Sequence, residues 1–251
     1  MEPVILVFLF SAGTAAGFID SIAGGGGLIA LPALLSVGLP PQIALGTNKL
    51  QGTFGTATAA INFTRKGMVN LKECGLGIVT TLVGAISGAW LIQYLSSTFI
   101  AKLVPFLLLS VLVYTIFSKN LGISTTKARI SRGFYYLIFG LGLGFYDGFF
   151  GPGTGAFWTA SLVAFSGYTM TKAVGVTKVM NFTSNIVALA VFIAAGNVYY
   201  MAGLVMACGQ IVGARLGSGL AIKKGVGFIR PIFIVVVLAT TIRLIYVNYQ
   251  V

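Results

Sequence analysis

An aspartate followed by a run of glycines, set inside long apolar sequence, occurs twice in this chain. Gly17-Phe18-Ile19-Asp20-Ser21-Ile22-Ala23-Gly24-Gly25-Gly26-Gly27 returns in the second half as Gly144-Phe145-Tyr146-Asp147-Gly148-Phe149-Phe150-Gly151-Pro152-Gly153-Thr154. Four consecutive glycines cannot hold a stable helix interior, and an ionised carboxylate is costly at membrane depth. The chain has only four acidic residues in 251, and the repeat takes two of them. Two such breaks at matching places in two halves point to a site at a repeat interface, as in many transporters.

Composition fixes the solvent. The chain is 57% hydrophobic and 8% charged, where soluble domains carry about 25% charged residues. It reads as an integral membrane protein with room for about ten membrane elements. Apolar runs punctuated by glycine, without ten-residue alternation, favour helices over a barrel. The net charge of +12 does not point to nucleic acid, because the basic residues gather in loops of the kind that face the cytoplasm. Histidine is absent, which removes the commonest metal ligand and proton shuttle. Cys74 and Cys208 form no metal spacing, so neither a metal nor a cofactor is expected. With Glu2 in place of a basic n-region, the first apolar run is expected to be a retained helix.

Apolar runs and breakers predict five elements per half. They cover approximately 3–19, 28–39, 43–63, 74–94 and 99–117, then 134–146, 156–165, 173–195, 199–222 and 228–247. The chain is thus expected to be one transmembrane domain, with repeat 1 at about 3–118, a linker at 119–133 and repeat 2 at about 134–251. The halves stay in register beyond the opening motif. Ala44-Leu45-Gly46-Thr47-Asn48-Lys49 matches Ala173-Val174-Gly175-Val176-Thr177-Lys178, Gly84 and Gly88 match Gly213 and Gly217, and Pro105 matches Pro231. The glycine pairs read as small-residue packing faces.

Loop charges address orientation. The loop with Arg65, Lys66 and Lys72 matches a neutral loop at 197–200, whereas the neutral loop at 96–100 matches one with Lys223, Lys224 and Arg230. Neutral Pro40-Pro41-Gln42 matches a segment carrying Lys172. This antisymmetry predicts inverted-topology repeats. Both termini would then lie outside, with Lys119, Lys127, Arg129 and Arg132 of the linker inside. Lys102 and Arg243 would lie towards the outer side. The elements at 28–39 and 156–165 are too short to span alone. Each either joins its glycine stretch as a broken helix or forms a re-entrant hairpin with the preceding element.

Unwound backbone at membrane depth is tolerated where it lines a cavity, and a helix starting there aims free N–H groups and a positive dipole end into it. Two such starts make an anion site; the competing reading is glycine used for packing alone. Asp20 and Asp147 read either as N-caps of the broken helices or as proton or cation acceptors that couple transport. Lys49 and Lys178 sit in apolar helices beside Asn48, Gln51 and Thr53, and beside Thr177, Asn181, Ser184 and Asn185. Positions 48, 51 and 52 share a face, as do 177, 178, 181 and 185. Gln210 and Arg215 add polar groups later in the chain. Three cations against two aspartates within these segments leave one positive charge for a bound anion.

The segments Ala16–Gly27, Thr47–Gln51 and Gly144–Pro152 resemble the TauE/SafE sulfite exporter family, also called the toluene sulfonate uptake permease family, and most closely its YfcA-like branch. The resemblance covers nearly the whole chain. It implies a multi-pass transporter of the bacterial cytoplasmic (inner) membrane, for sulfite, sulfonates or related small organic anions. The expected function is secondary transport by alternating access, with the lipid bilayer and a small anionic substrate as partners. A passive anion channel or a non-transporting scaffold subunit is the alternative. An enzyme is not expected, since the chain lacks a nucleophile–base or metal cluster. The candidate substrate site is Asp20, Gly24, Gly25, Gly26, Gly27, Asn48, Lys49, Gln51, Asp147, Gly151, Gly153, Thr154, Lys178, Asn181 and Asn185, with Gly155 completing the second break.

Overall fold

The computed structural model describes residues 1–117 and 128–224. Every regular element among them is helical: α1 (Pro3–Ala23), α2 (Gly27–Ser36), α3 (Pro41–Arg65), a 3₁₀ turn (Leu71–Cys74), α4 (Gly75–Gln93) and α5 (Ser97–Phe117). α6 (Arg132–Tyr135), a π turn (Tyr136–Gly140) and α7 (Leu141–Phe149) follow one another directly, then come α8 (Thr154–Ser166), α9 (Met170–Ala194) and α10 (Tyr200–Lys224). The expected last element at 228–247, with Arg230, Pro231 and Arg243, lies outside the described residues, as do Lys119 and Lys127.

Four stretches among the described residues are long and apolar enough to cross a membrane: Pro3–Ala23, Leu71–Gln93, Met170–Ala194 and Tyr200–Lys223. Their outward faces carry Val7, Val79, Trp90 and Leu216, all exposed, as side chains meeting lipid should be. The chain is a multi-pass membrane protein. α3 is as long as α9, but the polar run from Thr47 to Thr58 lowers its hydropathy.

Small residues set the helix contacts. α10 lies along α1, where a Cβ on Gly213 would come within 2.7 Å of Phe18 N. α4 lies along α7, where one on Gly88 would come within 2.8 Å of Phe149 N. Both pairs run parallel: Gly13 meets Met206 and Gly17 meets Gln210, while Gly84 meets Leu141 and Gly88 meets Phe145. Gly203 against Leu50, and Asn62 bonded to Ser218 at 2.7 Å, align α3 with α10 in the same sense. Since α1 and α3 therefore point the same way, α2 leads the chain back. Gly26 lies beside Asp20 and Ala16 of the helix it has just left, so α1 and α2 form a hairpin at the glycines. α3 and α9 run antiparallel, with Gly46 near Phe192, Gly52 near Asn185 and Gly175 near Phe63.

Two differences from expectation have local causes. α1 continues through Asp20 to Ala23, and α7 through Asp147 to Phe149, so each aspartate lies in the last turn before its break and not at a helix start. Gly24 stops α1 with φ 79°, its N–H donating to the Asp20 carbonyl at 2.8 Å, a left-handed cap that glycine adopts freely. The π turn was not foreseen. Thr80 Oγ1 donates to the Tyr136 carbonyl at 2.8 Å, satisfying an oxygen at the wider turn.

The apolar core divides along the two central helices. Ala44 and Leu45 of α3 and Ala188 and Phe192 of α9 belong to one cluster, with Leu31, Leu34 and Ile100. Ala60 and Phe63 of α3 and Ala173 and Val176 of α9 belong to a second, with Tyr135, Tyr136 and Trp158. The polar residues of α3 and α9 lie between them.

Gly213→Leu and Gly84→Leu should each destabilise the protein by about 1–3 kcal/mol or more, because a side chain there overpacks backbone against backbone. Thermal unfolding in detergent measures this. Gly219→Ala, inside α10 where a Cβ meets nothing within 4 Å, should unfold no more easily than the wild type and gain up to about 1 kcal/mol, since alanine is the better helix former.

Candidate functional site

Each of the two buried lysines crosses to the other half of the chain. Lys49 Nζ of α3 donates to Asp147 Oδ1 at 2.7 Å and to the Asp147 carbonyl. Lys178 Nζ of α9 donates to Asp20 Oδ2 at 2.9 Å and to the Asp20 carbonyl. An aspartate in a helix's last turn adds its charge to the negative end of the dipole, which is unfavourable. One ammonium answers both, carboxylate and carbonyl together. The lysines are fully buried, and removing a partner from a buried pair strands a charge.

The two pairs differ in their surroundings. Asp147 is sealed, 4% exposed, and takes a further hydrogen bond from Ser184 Oγ. The Asp20 side chain is 15% exposed and takes its further bond from Gly26 N–H, at 3.2 Å. Asp20 thus reaches the start of α2 from the preceding helix by accepting the Gly26 N–H, whereas Asp147 accepts from Ser184. Ser184 corresponds in the repeat register to Gly55, and the space beside Gly55 is taken by the Gln210 side chain.

The glycine breaks meet backbone to backbone. A Cβ on Gly155 would lie 2.6 Å from Gly24 Cα, and Ala156 N–H donates to the Gly24 carbonyl at 3.1 Å. Gly151 and Gly153 have φ of 102° and 84°, so the break before α8 is built from conformations that other residues avoid.

Around these breaks lies a small polar cavity of about 30 Å³. Of the candidate residues, Asp20, Gly24, Gly26, Gly27, Asn48, Lys49, Gln51, Asp147, Gly151, Gly153, Asn181 and Asn185 line it, and so does Gly155. Three stand back from it. Gly25 is buried within the turn, with its carbonyl accepting Leu28 N–H at 3.0 Å. Thr154 is buried and turns its hydroxyl to the Gly151 carbonyl at 2.6 Å. Lys178 lies behind Asp20. The wall also includes Gly52, Thr56 and Gln210. Gly52 and Thr56 continue the face of Asn48 at four-residue spacing; that spacing was the available signal. Gln210 Nε2 donates to Gln51 Oε1, joining α10 to α3.

One electrostatic expectation is corrected. Arg215 is exposed and off the cavity wall, and both lysines are paired, so no surplus cation among the described residues faces the cavity. The positive potential that remains there comes from the N-termini of α2 and α8 and from amide N–H groups.

Fold and site together describe a helical membrane protein with a charge-paired polar cavity between its two halves. Residues 9–244 match the family model described as sulfite exporter TauE/SafE. A Haemophilus influenzae protein named "Probable membrane transporter protein" is 43% identical over 246 residues, covering 96% of this chain and 95% of its own. A Sinorhizobium protein, "Probable membrane transporter protein ORF9", is 42% identical over 241 residues, with 96% and 92% covered. "Probable membrane transporter protein YfcA" of Escherichia coli K12 is 41% identical over 246 residues, with 98% and 91% covered. No solved structure matches. The chain belongs to the sulfite exporter TauE/SafE family of membrane transporters.

Lys49→Met and Asp147→Asn should each lower stability by about 3–5 kcal/mol, read as thermal unfolding in detergent, because each leaves a buried group unpaired. The double variant Lys49→Met/Asp147→Leu should recover most of that loss. Equal stability of the singles and the wild type would show that the pair is not buried as described.

Proposed function

We propose that this protein is a secondary transporter that carries a small, sulfur-containing anion, such as sulfite or an organosulfonate, across the bacterial cytoplasmic membrane by alternating access. The observation that carries the reading is the reciprocal pairing of Lys49 with Asp147 and Lys178 with Asp20 around one polar cavity. Each pair ties a glycine break in one half to a long helix in the other, so relative motion of the halves moves both. The antiparallel course of α3 and α9 supports inverted repeats at about 3–118 and 134–251, with α1–α2 and α7–α8 as re-entrant pairs. Both termini lie outside in this reading, and the loop holding Arg65, Lys66 and Lys72 lies inside.

The substrate anion sits at the N-termini of α2 and α8, bound by the amides of Asn48 and its neighbours. Asp20, the more exposed carboxylate, is the coupling group. The sulfur-containing class is taken from the family, since the cavity chemistry suits small oxyanions in general.

Purified protein in liposomes should accumulate sulfite or a small sulfonate when a proton gradient is imposed, and collapsing the gradient should stop accumulation. Flux that only follows the anion's own gradient would mean a passive pore. Lys49→Ala and Lys178→Ala should each reduce the initial rate by about tenfold or more. Wild-type rates in both would remove the lysines from the mechanism. Topology has its own check. In a variant without Cys74 and Cys208, Lys66→Cys should react with an impermeant maleimide only from the cytoplasmic side, and Glu2→Cys only from the outside.

A further inference from the structure

Hydrogen bonds decide which end of each cavity amide is left to a ligand. Gln210 Nε2 donates to Gln51 Oε1, and Gln51 Nε2 donates to Asn48 Oδ1 at 2.7 Å and to the Asn48 carbonyl at 3.1 Å. The relay turns the side-chain oxygen of Asn48 toward Gln51 and leaves its Nδ2 as the donor that this cavity-lining residue can offer a ligand. With the starts of α2 and α8, it makes that part of the wall donor-rich. Asn181 of α9 is different. It lines the same cavity at 5% exposure, and its Oδ1 is buried without a hydrogen-bond partner. The other buried, unpartnered side-chain atoms among the described residues are Tyr136 Oη, Trp158 Nε1 and Ser166 Oγ, and none of those residues borders the cavity. An acceptor left unpaired at this depth is costly, and such an atom in a site calls for an occupant that donates to it.

We infer that the site is two-ended. Its ligand presents an anionic group to Asn48 Nδ2 and the helix N-termini, and an N–H or O–H donor to Asn181 Oδ1. The inference rests on the anion reading above and narrows it, from small anions in general to those that carry a hydrogen-bond donor. The small cavity keeps the two groups close, with the donor on the atom bonded to the anionic centre or on the next one. A simple oxyanion without such a donor leaves Asn181 unpaired and binds less well.

Sulfamate and methanesulfonate separate the possibilities, since they share charge and nearly share size but carry an amino group and a methyl group respectively. Each is titrated against the purified full-length protein in detergent, and thermal stabilisation is read as binding to the folded state. Sulfamate should produce a given shift at a concentration lower by about tenfold or more. In Asn181→Leu the two curves should converge to within about twofold, through loss of sulfamate affinity. Equal potency on the wild type overturns this inference and leaves the anion site standing. A sulfamate preference that survives in Asn181→Leu also overturns it, by placing the acceptor elsewhere. Stabilisation by neither compound overturns the anion reading and this one with it. The wild-type ratio decides alone if Asn181→Leu does not fold.

Discussion

A charge inside an apolar protein must be paired, and here the pairing determines how the two halves fit together. Asp20 and Asp147 stand at the negative ends of their own helices, where nothing on the same helix can neutralise them. Their partners come from the opposite half, Lys178 and Lys49. Neither half could bury its aspartate alone without a large desolvation penalty. The pairs oblige the halves to associate, and they fix α3 and α9 at the centre with both glycine breaks drawn against them.

The rest of the architecture follows from that obligation. Glycine faces let α1 approach α10 and α4 approach α7 backbone to backbone, which closes the molecule around the pairs. The apolar core is split in two along the central helices, leaving a middle layer of amides and hydroxyls. In apolar surroundings such a layer is tolerated when its members bond one another or a ligand. Most bond one another; Asn181 Oδ1 does not.

The near-symmetry of the halves makes their differences informative. Asp147 is closed over and bonded by Ser184, whereas Asp20 keeps some exposure and bonds the start of α2. Where one half has Ser184, the register of the other has Gly55, and Gln210 enters the space beside it. The polar cavity is therefore unequal in its two sides, although the scaffold around it is nearly regular.

Much of this was legible in the sequence. Composition places the chain in a bilayer, and long apolar runs punctuated by glycine favour helices over a closed barrel, the other structure that satisfies the backbone there. The repeated aspartate–glycine motif and the paired lysines mark the candidate site, since each breaks a local rule at great cost. Among the described residues the helix spans agree with the sequence pattern to within a few residues, except that Asp20 and Asp147 lie inside their helices; for α1 the left-handed cap at Gly24 falls later than the aspartate suggests. What the chain could not reveal was partnership. That Lys49 answers Asp147 and Lys178 answers Asp20, that Arg215 points away from the cavity, and that Gln210 arrives from α10 to orient Gln51 all depend on contacts between distant segments. Sequence periodicity reports which face of a helix is polar; only packing decides which other face it meets, and so which charge remains available to a ligand.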